Sequence, residues 1–186
     1  MKIVAGKFGG RKLMAPQNKD IRPTSDKIRG AIFNMLGSRG AVDNARVLDA
    51  FCGTGALGLE ALSRGATHVT FMDKARISLD LARQNVEILG AMNDCDFTLK
   101  DALKMPVRTD NEKAYNLIFL DPPYNKNFID KALKLLMTGD WLSKECWIVC
   151  ESEKYYNYTP VDGFIIDNEK NYGDTKVTLL TNISTI

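Results

Sequence analysis

Residues 48–58 read LDAFCGTGALG, and Gly53, Gly55 and Gly58 fall in the spacing G-x-G-x-x-G between an apolar run and a helix-forming one. Glycines placed this way let the backbone turn tightly and approach a ligand beside a helix N-terminus. The spacing alone fits a dinucleotide equally well. Asp49, four positions before the first glycine, shifts the balance. A carboxylate there repels an incoming pyrophosphate and suits a ligand carrying an ammonium group.

Outward from this stretch the chain alternates. RVLDAF precedes ALGLEALSRG, HVTFMD precedes ARISLDLARQNVEILG, CDFTL is followed by YNLIFLD, and NFIDKALKLLM precedes CWIVCES. Continuous apolar strands alternating with helices predict an α/β domain, a mostly parallel sheet with helices on both faces. The tail GFIIDNEKNYGDTKVTLLTNI reads as a final hairpin. Upstream, KIVAG and RKLMA flank KFGG as a second hairpin, and TSDKIRGAIFNMLG reads as a helix with Thr24 as N-cap and Gly37 as terminator.

The length of 186 residues suits one domain, here divided into a basic N-terminal extension over 1–40 and a core over 41–186. With 45% hydrophobic and 26% charged residues the composition is that of an ordinary globular protein. No apolar stretch approaches the ~20 residues that span a bilayer. The N-terminus has no apolar core of a secretory signal. Cys52, Cys95, Cys146 and Cys150 are scattered without a Cys-x-x-Cys pair, which points to a reducing cytoplasm and away from zinc. Cys146 and Cys150 read as two buried thiols. His68 is the only histidine, so mechanisms needing a His pair are excluded and its expected role is structural.

Charge is unevenly spread. Residues 1–30 hold eight basic residues against Asp20 and Asp26, or +6, so with a net charge of +2 the remaining residues carry −4. A basic arm on a mildly acidic body suits a polyanion partner, although a solvated basic face gives the same pattern.

In a parallel sheet, ligands bind beyond the carboxyl ends of the strands, and four strand ends here carry polar residues. Asp49 ends the first. Asp73 ends the second, where an acid about 20 residues past the glycines accepts ribose hydroxyls; it also fits as an N-cap. Asp101 follows the third and can accept from an adenine amino group or start a helix. Residues 121–124, DPPY, end the fourth. Two prolines restrict the backbone, so the Asp121 carboxylate and the Pro122 carbonyl can converge on one planar NH2 group. Tyr124 offers a face for stacking a base, worth about 1–3 kcal/mol.

LDAFCGTGALG, Asp73, Asp101 and DPPY together resemble class I S-adenosylmethionine-dependent methyltransferases that act on exocyclic amines. MKIVAGKFGGRKLMAP, RPTSDKIRGAIFNML, GALGLEALSRGA and YGDTKV narrow this to a resemblance to the RsmD family, bacterial 16S ribosomal RNA guanine-N2 methyltransferases. It runs essentially end to end, with Cys52 where many members have alanine and with residues 155–171 matching no pattern of the family.

The resemblance implies a Rossmann-like fold with a seven-stranded sheet and S-adenosyl-L-methionine as cofactor. Asp49 and the loop Cys52, Gly53, Thr54 and Gly55 would hold its methionine end, Asp73 the ribose, and Asp101 with Ala102 the adenine; Phe51 and Lys74 complete the set. Asp121, Pro122 and Tyr124 would grip the target guanine. Lys7, Arg11, Lys12, Arg22 and Arg29 would contact RNA phosphates, Arg22 alternatively lying beside the cofactor. Implied too are 16S ribosomal RNA within an assembling small subunit as substrate, a cytoplasmic monomer, and neither metal nor membrane. An adenine-N6 methyltransferase shares DPPY, a nicotinamide oxidoreductase shares the glycine loop, and a non-catalytic RNA-binding module needs only the arm.

Overall fold

The computed structural model describes residues 1–15, 24–123, 127–157 and 162–182. After the N-terminal arm come α1 (Asp26–Gly37), β1 (Arg46–Asp49), α2 (Ala56–Ser63), β2 (His68–Asp73), α3 (Arg76–Leu89) and β3 (Cys95–Leu99). β4 (Tyr115–Leu120), α4 (Phe128–Thr138), β5 (Leu142–Glu153), β6 (Phe164–Tyr172) and β7 (Thr175–Asn182) complete the chain. Short 3-10 turns cover Met92–Asp94 and Ala102–Lys104.

The seven strands form one sheet in the order β3-β2-β1-β4-β5-β7-β6. β1 to β5 run parallel to one another, and β7 runs antiparallel between β5 and β6. This is the Rossmann-like class I arrangement. From β1 the chain winds outward through β2 to β3, then returns to β4 on the other side of β1. The winding reverses between β1 and β4, and in such sheets ligands bind beyond the carboxyl ends of the strands at that switch point.

Both faces of the central strands are covered, which is why these strands read as unbroken apolar runs. Val47, Leu117 and Phe119 pack under α1, α2 and α3, while Leu48, Ile118 and Leu120 pack under α4. In α4, Ile129, Ala132, Leu133 and Leu136 recur at helical spacing and are buried. Phe33 of α1 meets Phe119 with ring centroids 5.6 Å apart. Each such fully buried side chain contributes about 1.5–3 kcal/mol.

The arm folds back on itself with a single antiparallel bridge, Lys2 to Lys12, rather than two full strands. It spends its backbone groups on α2 instead. The Glu60 carboxylate accepts from the amides of Val4 (2.7 Å) and Ala5 (3.0 Å), and Ser63 Oγ accepts from the amide of Phe8 (3.0 Å). Ile3 and Leu13 are buried in the same core as α1, so the extension shares the core of the sheet.

The expected cap of α1 is corrected by one residue. Ser25, in extended conformation, accepts from the amide of Ile28 and caps the helix. Thr24 is thereby released for a different use, described below.

Candidate active site

Three carboxylates line the carboxyl ends of β1, β2 and β3. Asp49 is 2% exposed and accepts from the amide of Gly58 at 3.0 Å. Burial, and to a smaller extent the charge of Asp73, push its carboxyl up to about 7, against the pull of the Gly58 bond. Among the described residues no cationic side chain pairs with it. Asp73 Oδ2 accepts from the amide of Gly53 (3.1 Å) and Oδ1 from the amide of Ala75 (2.8 Å). Asp101 caps the 3-10 turn at 102–104, Oδ1 accepting from the amide of Leu103 at 2.9 Å. Asp101 thus realises its alternative use as a helix-start acceptor, whereas Asp73 does not cap α3, whose N-cap is Ala75 without a side-chain bond, and instead closes a turn onto the Ala75 amide. They leave lone pairs over, because an ionised carboxylate offers about four acceptor sites.

The glycine loop turns as its spacing predicts. Gly53 has φ +51°, and a Cβ built on it meets nothing within 4 Å, so its outer side is open. Gly58 is a packing glycine: a Cβ there would lie 2.5 Å from Phe71 Cε1 and 2.7 Å from Val69 Cγ1. Cys52 and Thr54 are buried, with Thr54 Oγ1 3.8 Å from Met1 Sδ. A ligand on this loop therefore meets its backbone more than these two side chains. Burial raises the Cys52 thiol far above the ordinary range, so it stays protonated. Phe51 packs against the α4-side core, Ala102 is buried and Lys74 is exposed.

This row of acceptors fits the donors of S-adenosylmethionine. Its α-ammonium would pair with Asp49, its ribose hydroxyls would donate to Asp73, and its adenine amino group would donate to Asp101. Three acceptors in a row repel a pyrophosphate instead. A cavity of about 530 Å³ lies elsewhere, over β2, β3 and residues 105–113, and is lined by none of these three acids.

On the other side of the switch point stands Asp121, with Pro122 buried behind it. Tyr124 lies outside the described residues. Asp121 Oδ2 is 3.1 Å from Thr24 Oγ1, which is also 2.9 Å from Glu151 Oε2 at the end of β5. Burial first, then Glu151, raises the Asp121 carboxyl well above the usual range, and the Thr24 bond opposes this.

The expected RNA contacts divide. Lys7, Arg11 and Lys12 are exposed; Lys7 is 4.0 Å from Asp94, and Arg11 Nη2 donates to the Ile88 carbonyl at 2.6 Å. Arg22 lies outside the described residues. Arg29 must be corrected: it is 0% exposed and cannot meet a phosphate. Its guanidinium pairs with Glu60 (3.3 Å) and Asp26 (2.8 Å) and donates to the carbonyls of Thr24 (3.3 Å) and Lys2. Burial of a guanidinium demands such a set of acceptors. The four cysteines are unbridged and buried, and His68 pairs with Asp96 at 2.8 Å at the amino end of β2, away from the site.

The sequence reading missed Thr24, Glu60, Asn85 and Glu151. Asn85 on α3 joins the arm to the glycine loop, donating to the carbonyl of Thr54 (2.9 Å) and accepting from the amide of Met14 (2.7 Å). Glu151 carried the same signal as Asp49 and Asp121, an acid closing an apolar strand.

A sheet with this order and a row of acceptors at the switch point defines a class I methyltransferase. Magnesium protoporphyrin IX methyltransferase of Synechocystis, solved with S-adenosylmethionine bound, shares the fold: TM-score 0.64 and 16% identity over 84% of this chain and 78% of its own. A family model described as conserved hypothetical protein 95 matches residues 1–181. Ribosomal RNA small subunit methyltransferase D of Escherichia coli is 33% identical over 82% of this chain and 75% of its own. A solved Escherichia coli structure superposes with a TM-score of 0.86 at 30% identity, covering 100% of this chain and 99% of that one. The chain belongs to this family, the RsmD methyltransferases.

Proposed function

We propose that the protein uses S-adenosylmethionine to methylate the exocyclic N2 amino group of a guanine in 16S ribosomal RNA, guanine 966 by family expectation, within an assembling small subunit. The observation that carries this reading is Asp121: an acceptor on a proline-stiffened strand end, across the switch point from the buried carboxyl of Asp49. The ribosomal target is supported by the name of the Escherichia coli relative.

S-adenosylmethionine supplies a methyl group already activated on a positive sulfur. The residues of this chain supply position and electrostatics. Asp49 holds the ammonium, Asp73 the ribose and Asp101 the adenine, so the donor faces the β1–β4 switch point. Asp121 and the Pro122 carbonyl accept hydrogen bonds from the target amine, whose lone pair is otherwise delocalised into its ring. Those bonds favour a more pyramidal nitrogen and receive its developing positive charge. The N–C bond would form as the S–C bond to the methyl breaks, its electron pair staying on the sulfur of a neutral thioether product, and the nitrogen would release its extra proton to Asp121 or to water. A base within folded RNA must be splayed out to reach this point. Exposed Lys7 and Lys12 supply phosphate contacts on the arm.

The test uses labelled S-adenosylmethionine with bare 16S RNA, small ribosomal subunits and duplex DNA, followed by nucleoside analysis. Label in N2-methylguanine from the RNA or the subunit is expected. Label in N6-methyladenine, or none in any substrate, defeats the proposal.

A further inference from the structure

The acceptor side of the site holds two buried polar residues that the reaction as described leaves without a role, Thr24 and Glu151. They are 7% and 6% exposed. β4 and β5 run parallel with Leu120 beside Cys150, which sets Asp121, just past the end of β4, beside Glu151 of β5. Between them sits one hydroxyl, 3.1 Å from Asp121 Oδ2 and 2.9 Å from Glu151 Oε2. A threonine hydroxyl has one proton and two lone pairs. It donates fully to one carboxylate at a time, and the other contact is best satisfied when that carboxyl carries a proton and donates to the hydroxyl. The three groups therefore form a directional chain.

The chain is held from outside. The carbonyl of Thr24 accepts from Arg29 Nη1 at 3.3 Å, and Arg29 is itself fixed by Glu60. Asp121 Oδ1, in contrast, makes no hydrogen bond among the described residues.

We propose that Thr24 and Glu151 are positioning residues for Asp121: the shared hydroxyl fixes Oδ2 so that Oδ1 faces the target amine, and Glu151 sets how readily Asp121 takes up that amine's proton. The proposal rests on the reading of Asp121 as the acceptor for the exocyclic amine. Among the described residues, the groups facing Asp121 are Glu151 from β5, Thr24 from the segment before α1, and Asp49 from β1. Both acids disfavour its ionised form, and Thr24 favours it.

The sign of each substitution follows. Asp121 must be ionised to accept, so activity rises with pH through its titration. Glu151→Gln removes a negative charge and keeps a hydrogen-bonding side chain, which moves that rise to lower pH. Thr24→Val removes the donor, which moves the rise to higher pH and lowers kcat about tenfold through loss of alignment, with KM for RNA little changed. Thr24→Ser restores the wild-type profile. A merely structural role for the two residues would not shift the midpoint in opposite directions.

The experiment follows the aspartate carboxyl 13C resonances of labelled full-length protein against pH, with Asp121→Asn for assignment, alongside kcat against pH for the same variants. Opposed displacements of the Asp121 midpoint in Glu151→Gln and Thr24→Val are expected. Midpoints that stay put, or that move the same way in both, overturn the proposal. Since the resonances are read without turnover, opposed shifts in a protein that modifies no guanine overturn the substrate reading alone.

Discussion

Asp49, Asp73 and Asp101 are each held by backbone amides close in sequence, those of Gly58, of Gly53 and Ala75, and of Leu103. Asp121 and Glu151 instead meet at a side chain 97 and 127 residues away, Thr24. The half of the site proposed to hold the cofactor is thus assembled by loops that carry their own acceptors and donors. The target half is completed only when the N-terminal extension docks on the sheet. Arg29 and Glu60 do the docking, and so a residue of the arm, Thr24, sits beside Asp121, the group proposed to receive the target base.

The strongest way to break this division is Asp121→Ala. Turnover is expected to fall by roughly 10³-fold or more, the upper range for losing a group that both positions and accepts a proton. S-adenosylmethionine affinity, measured by titration calorimetry, should stay within about threefold of wild type. A collapse of cofactor binding in this variant would show that the halves are not separable.

The docking itself is tested by Glu60→Ala. Glu60 and Arg29 are both 0% exposed, and the carboxylate also serves Arg64 at 2.7 Å and the amides of Val4 and Ala5. Removing Glu60 leaves the buried Arg29 with only the half-exposed Asp26 as an acid partner among the described residues, and breaking such a buried pair costs up to about 3–5 kcal/mol. Denaturant unfolding should show a lowered midpoint with little change in slope. A midpoint near wild type would mean that the arm is held by its apolar residues alone.

Asp49→Asn sharpens the comparison from the cofactor side, and its two effects have opposite signs. The folded-state carboxyl lies near 7 against 3.8 for an ordinary aspartate, so ionised Asp49 is a burden on the empty protein. That raised value favours folding at low pH and loses stability as pH climbs from about 4 to about 7. Asparagine carries no such charge. At pH 8 the empty variant should therefore be more stable by about 1–3 kcal/mol, less than the full shift because the new amide also needs partners. It should bind S-adenosylmethionine at least about tenfold more weakly. Thermal unfolding with and without the cofactor reads both effects, and equal stability at pH 5 and pH 8 in the wild type would contradict the account.

The same division explains what could be read from the chain. The glycine loop, the acids at the ends of β1 to β4 and the strand–helix alternation are local patterns, and each was legible. Arg29 was not: in the basic run 1–30 it looks like its neighbours, and only a buried acid on α2 distinguishes it. The trace of that partner is Glu60 itself, a lone acid within ALGLEALS, whose apolar residues are all buried. Thr24 misled for a related reason, since a Thr-Ser pair offers two caps and the fold uses the second. The Thr24–Glu151 contact depends on docking across more than half the chain, which no local pattern encodes.

The smallest expected effect separates charges that serve RNA from charges that serve the fold. Lys12 is exposed and lies on the arm's bridge, while Lys7 is partly engaged by Asp94 at 4.0 Å. Deleting the arm would remove Ile3 and Leu13 from the core, so point substitutions are the informative probe. Lys12→Ala should leave unfolding unchanged, weaken RNA binding a few-fold at low salt, and reduce the slope of log affinity against log salt by about one charge. Lys7→Ala should do the same less strongly. Arg29→Ala should lower stability and carry no salt signature of its own. If Lys12→Ala leaves the salt slope untouched, the arm's exposed charge is a solvated face, and the RNA must be gripped from another part of the sheet edge.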